Sequence, residues 1–238
     1  MTRGTIIVAV AALVLTGMLV WSRYSWATYR YLLTVAVDTP SGLRTASVVH
    51  EVRARRALLS LPDSATASVE FKGEALRVDL GDGKALFVLV QPAERTEETL
   101  VPIINAALDP EYTRGGIGNL NSIRRIARGR ARSEATLPTS TSKLRFVRFR
   151  DDGQPATVEA VSPDAFESAF GEGYRLREIR VETTNRPVTD KIRAQLPWLE
   201  PEGRPLEGTL SGIPPLGVID PEKTGDVLGY RSFVREYR

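Results

Sequence analysis

The sequence predicts an α+β fold: a single N-terminal transmembrane helix, then an antiparallel β-meander sheet with short helices packed on it, and an irregular Pro/Gly-rich C-terminal segment. Three observations predict it. No residue from Thr5 to Trp21 is charged, and most are Ile, Val, Ala or Leu. From Tyr29 to Val90 apolar residues recur with period 2 between Gly-containing turns. After Pro92 the period lengthens to that of a helix, and from Glu200 onward Pro and Gly punctuate the chain. The expected organisation is an anchor with its interfacial belt at 1–27, an α+β domain at 28–200 with a candidate sub-boundary near 136–143, and an irregular segment at 201–238.

As a helix, Thr5–Trp21 would be ~25 Å long against a hydrocarbon core of ~30 Å, sufficient if its ends lie in the interfaces. Trp21, Tyr24, Trp26, Tyr29 and Tyr31 follow, and rings with one polar edge favour the headgroup level, although Tyr29 and Tyr31 also fit the first strand. Bulky aromatics occupy the positions where a signal peptidase needs small residues, so retention of the anchor is expected. The chain has no Cys, which excludes an acylated-Cys anchor, disulfides and thiolate chemistry. The short N-terminal tail and the large following domain favour an exported domain, that is, a single-pass inner-membrane protein with a periplasmic C-terminal domain.

"YRYLLTVAVD" alternates as a strand, "TPSG" turns it, and "LRTASVVHEVRARR" returns with Ala46, Val48, His50 and Val52 on one face. In "VEFKGEALRVDLGDGKALFVLV", Lys72-Gly73 and Asp82-Gly83 predict two hairpin turns, because glycine accepts the positive φ these turns require. Together these segments predict a five-stranded antiparallel sheet. Leu100, Ile103, Ile104, Ala107 and Leu108 form one helix face, with Thr99 as N-cap and Pro102 in the first turn. "TRGGIGNLNS" is expected to be a loop, followed by a weaker helix starting near Ser122. "TLPTSTSK" has linker composition, and "KLRFVRFRDDGQPATVEAV" predicts a hairpin turning at Asp152-Gly153. "SPDAFESAF" predicts a short helix capped by Ser162, "YRLREIRVETT" a strand, and "PVTDKIRAQLPWL" a helix ended by Pro197, with Trp198 and Leu199 docked on the sheet.

The apolar anchor, the "VDTPSG" turn, the "VDLGDGKALFVLV" hairpin and the "PVTDKIRAQLPWL" segment together resemble an uncharacterised family of N-terminally anchored proteobacterial proteins. The resemblance implies a bacterial envelope protein and brings no activity or site residues with it.

The formal net charge of +3 derives from the anchor region: without Arg3, Arg23 and Arg30, 29 basic residues face 29 acidic ones. Overall charge therefore gives no reason to expect a nucleic-acid partner. His50 is the only histidine; it lies on an apolar strand face, Glu51 points the other way, and no nucleophile motif accompanies it, so a structural imidazole is expected. Asp79, Asp82, Asp151 and Asp152 lie at or beside Gly-containing turns and fit no calcium-loop spacing. No catalytic residue, metal or cofactor is assigned.

The pointed feature is "TRGGIGNLNSIRRIARGRARS". Six arginines and no acid lie between Tyr112 and Ser133. Gly115, Gly116 and Gly118 could let backbone N–H groups converge, and Arg124, Arg125 and Arg128 could share one helix face, giving an anion site outside any P-loop or dinucleotide spacing. With no acid nearby in sequence, these arginines are expected to be dispensable for stability. The functional expectation is a non-catalytic binding or assembly module, held to the membrane by its N-terminal helix and facing an envelope-protein or cell-wall partner. The alternatives are an envelope hydrolase or transferase, or a cytoplasm-facing domain binding anionic lipid or nucleic acid through Arg114–Arg132.

Overall fold

Strict alternation from Tyr29 to Val37 puts one apolar side of a long strand inward, and the strand it forms, β1 (Trp26–Thr39), is central to the protein. The computed structural model describes residues 10–17, 26–56, 67–91, 99–140, 143–199 and 230–236. Residues 10–17 are helical, and no described helix is long and apolar enough to cross a membrane. The remainder of the Thr5–Trp21 run lies outside the described residues.

Pro40 and Ser41 turn β1 into β2 (Gly42–Arg56), which pairs with it in antiparallel register from Trp26↔Arg55 to Thr39↔Gly42. β3 (Ala67–Glu74) extends the sheet beyond β2, while β9 (Arg175–Thr184) flanks β1 on its other side and carries β6 (Glu134–Leu137) at the edge. A second sheet comprises β4 (Leu76–Gly81), β5 (Lys84–Val88), β7 (Phe146–Phe149) and β8 (Val158–Val161) in that order. All observed pairings are antiparallel, so the fold is α+β.

The expected five-stranded sheet is therefore divided between two sheets. Lys72-Gly73 is no turn: Lys72 pairs with Glu51 and Gly73 with Arg235, so β3 runs straight through. The chain crosses to the second sheet at Ala75, whose N–H donates to the Phe233 carbonyl at 2.6 Å. Asp82-Gly83 is the hairpin expected, with φ of 53° and 72°.

Leu76, Val78, Leu80, Leu86, Val88, Phe146 and Val161 on one side of the second sheet share an apolar core with Tyr31, Leu33, Val48 and Ile179 of the first. Two helices close this core, α1 (Val101–Leu108) and α2 (Gly116–Ala127), the latter inserting Leu120, Ile123 and Ile126. Leu100 is the N-cap of α1, and the Thr99 hydroxyl accepts a long 3.4 Å bond from the Val101 N–H. The helix after Ser162 is only α3 (Phe166–Phe170); its N-cap is Ala165, which supplies no side-chain cap.

The outer side of the second sheet has its own cover. Phe87, Leu89, Val147 and Phe149 pack against Ile192 and Leu196 of the segment around α4 (Ile192–Gln195), and against Leu199. Trp198 lies tilted against Phe149, ring centroids 5.4 Å apart, and donates its ring N–H to the Asp152 carbonyl at 2.7 Å, docking where expected. The C-terminal segment is not irregular throughout. α5 (Tyr230–Phe233) and β10 (Val234–Arg235) are ordered, β10 pairs with β3, and Phe233 is fully buried beside Trp198. Residues 200–229 lie outside the described residues. Trp26 and Ala27 belong to β1, and Thr136 and Leu137 to β6, so each of these strands extends into a stretch expected to be anchor belt or linker.

Candidate functional site

The glycine-rich stretch that the sequence presents as a loop is the first half of α2, which begins six residues before Ser122. Gly115 caps it at φ 102°, a backbone conformation that glycine adopts without a Cβ penalty. Gly118 packs under Thr113: a Cβ there would lie 2.7 Å from the Thr113 hydroxyl and closer still to its carbonyl oxygen. Backbone conformation and close approach thus account for Gly115 and Gly118 without a ligand, and Gly116 is the first helical residue.

Arg125 turns to Asp109, giving Nε–Oδ1 3.1 Å, Nε–Oδ2 3.0 Å and NH2–Oδ2 2.6 Å, and it also reaches the Glu111 carbonyl at 3.1 Å. Asp109 is buried, which works to raise its pKa, but the Arg125 guanidinium and the Glu111 N–H together hold it below the usual carboxylate range. The acid absent from the sequence around Arg125 is supplied by the end of α1, so Arg125, contrary to the sequence expectation, is expected to contribute to stability. Arg124 lies in the last turn of α2, whose C-cap is Arg128. Partial burial and the like charges of Arg128 and Arg56 push its guanidinium below its ordinary value.

His50 is fully buried between Tyr31 and Phe71, with both ring nitrogens bonded: Nε2 to the Glu74 carbonyl at 2.8 Å and Nδ1 to the Tyr31 hydroxyl at 3.0 Å. A carbonyl can only accept, so Nε2 carries the proton and Nδ1 accepts from Tyr31. Burial lowers the His50 pKa to about 4, against a smaller rise from the Glu74 carbonyl, and raises that of Tyr31 well above its ordinary value. This environment holds the ring neutral, with both nitrogens engaged. Asp79 accepts from the Gly81 N–H and Asp151 from the Gly153 N–H, each at 2.9 Å, as turn residues do. Asp152 instead pairs with Arg77 at 3.0 Å. Among the described residues no group of His, Asp and Glu is arranged to hold a metal ion.

Sequence reading passed over two features. Tyr29 bonds Asn105 at 2.8 Å inside the core, and the Glu74 carboxylate accepts the N–H groups of Lys191 and Ile192 at 2.6 and 2.8 Å. These are contacts between residues 76 and 117 positions apart, which no local pattern announces. The second feature is the basic end of β2. Arg53 and Arg55 flank the Trp26 ring at 5.8 and 5.7 Å, and Arg56 faces α2. The "RARR" run at Arg53–Arg56 was its signal, hidden because alternation sends these residues to both faces of the strand. Comparison with protein-family models, curated proteins and solved structures finds no match, so the likeness to anchored proteobacterial proteins rests on the quoted segments alone.

Proposed function

We propose that this protein is a single-pass bacterial envelope protein whose α+β domain, held at the inner membrane by the N-terminal helix and exported from the cytoplasm, serves as a non-catalytic binding or assembly module. The observation that carries this reading is the helical stretch 10–17, whose Val10, Leu13, Val14 and Leu15 are between 51% and 74% exposed. A helix that is apolar on every side is stable when lipid or protein surrounds it, and the flanking sequence extends the uncharged run to Thr5–Trp21.

Two measurements test it. Intact mass of membrane-extracted protein should retain Thr5–Trp21, and a mature N-terminus near Ala27 would remove the anchor from the reading. A topology reporter fused after Arg238 should be active outside the cytoplasm; activity only inside would reverse the orientation.

A further inference from the structure

We propose that the groove between the outer edge of β8 and α3 is a docking site for an extended segment of a partner protein. That segment adds to the four-stranded second sheet, places an aliphatic side chain in the groove and brings a carboxylate to Arg150. This partner chemistry rests on the binding-module reading above and makes it specific.

The ladder turns backbone groups outward where such a strand would add. The Leu89 N–H donates to the Arg145 carbonyl at 2.9 Å, and the Arg150 N–H to the Thr157 carbonyl at 3.2 Å. Bonded and unbonded pairs alternate in an antiparallel ladder, so Val147 bonds toward β5 while Phe146 and Arg148 bond toward β8. Ala160, opposite Val147, therefore points its N–H and C=O away from β7. No further described strand follows β8 in its sheet. Backbone groups at such an edge are a template for one more strand.

The second wall is α3. Its Phe166 and Phe170 are buried, the first against Phe146 and each against the other, while Ala165, Ser168 and Ala169 line the groove. Between these small side chains and Val161 lies an open cavity of about 200 Å³ that the Arg148–Glu159 pair also borders. Alternation aims every second residue of an added strand at this cavity. Val161 and the two alanines make its walls apolar, so an aliphatic side chain fits there.

Charge selects the residue two positions on. Glu159 holds two guanidinium groups: Arg148 lies 2.8 Å (Nε) and 2.6 Å (NH2) from Oε2, and Arg150 Nε lies 3.0 Å from Oε1. The Arg150 side chain is 70% exposed. A carboxylate arriving beside Glu159 would give each guanidinium an acid of its own. An antiparallel partner then reads aliphatic, any residue, acid, opposite Val161, Ala160 and Glu159. A second copy of β8 offers the reverse order, because Glu159 precedes Ala160 and Val161. Paired two-fold about Ala160, it would bring Glu159 to the apolar wall at Val161, so the fit favours a foreign segment.

The test uses the full chain in lipid nanodiscs with fluorescent, acetylated five-residue peptides of threonine. One carries valine second and glutamate fourth; the others replace the glutamate by lysine or the valine by glycine. The valine–glutamate peptide should bind and slow hydrogen exchange of the Ala160 amide. Its half-saturating concentration should rise about threefold with lysine. With glycine it should rise about tenfold. Arg150→Glu should reverse the order of the glutamate and lysine peptides. Ala160→Pro removes an N–H that β7 does not use, a position where an edge strand tolerates proline, and should abolish binding. If that variant fails to fold, the peptide series and Arg150→Glu still decide.

No binding by any peptide, or binding that leaves Ala160 exchange unchanged, overturns the groove and leaves the binding-module reading to its own measurements. An unchanged peptide order in Arg150→Glu overturns the carboxylate assignment. Recovery of cleaved peptide overturns the non-catalytic reading and leaves the groove. Protection of Ala160 without peptide, rising with the number of chains per disc, would seat a second copy there and overturn the foreign partner.

Discussion

The His50 ring lies directly on the backbone of Gly73, so closely that a Cβ at residue 73 would sit 2.8 Å from His50 Cγ. Gly73 is inside β3, and its role is the absence of a side chain beneath the imidazole. Gly73→Ala should therefore destabilise the protein by about 1–3 kcal/mol, the usual cost of overpacking a core. Urea unfolding checks it. Combined with His50→Ala, the added cost of Gly73→Ala should largely vanish; full additivity would mean that the two positions do not press on each other.

Stability should depend on pH through the same ring. The folded-state pKa of about 4 lies below the ordinary 6.5, so between these values the unfolded chain binds the proton and the folded chain does not. The His50 contribution is complete above pH 6.5 and is lost as pH falls toward 4, by about 3 kcal/mol in total. His50→Gln should cost about 1–2 kcal/mol at pH 7 and flatten that slope. An unchanged slope in the variant would assign the pH dependence to other groups.

Arg125→Ala strands the buried Asp109 carboxylate and should cost about 2–4 kcal/mol, at or below the usual range for broken buried pairs because Arg125 is partly exposed. Arg130→Ala, at an exposed position just past the same helix, should stay within about 0.5 kcal/mol. Equal melting temperatures for the two variants would contradict the geometry around Asp109.

Phe233→Ala should destabilise by about 3–5 kcal/mol, because it empties a fully buried site between Trp198 and Phe149. Trp198 fluorescence should shift to the red in the folded variant as water gains access. A small effect on both measures would show that the C-terminal strand adds little to the second sheet's cover.

What the sequence determined by itself is what depends on near neighbours. Alternation from Tyr29 to Val37 defines a strand and its inward face, Asp82-Gly83 defines a hairpin through its φ requirement, and the spacing of Leu100 to Leu108 defines a helix. The apolar face of His50 was legible for the same reason. Tertiary structure decided what depends on partners distant in sequence. Gly73 carried the composition of a turn, and only the approach of His50 and the ladder to β10 made it part of a strand. Arg125 appeared unopposed until the end of α1 brought Asp109 to it. Phe233 and Val234 follow a Pro/Gly-rich stretch, yet an open strand edge and a half-covered sheet gave them a place to bury. A local pattern reports the conformation a segment prefers, whereas the identity of its neighbours follows from closing the whole core at once.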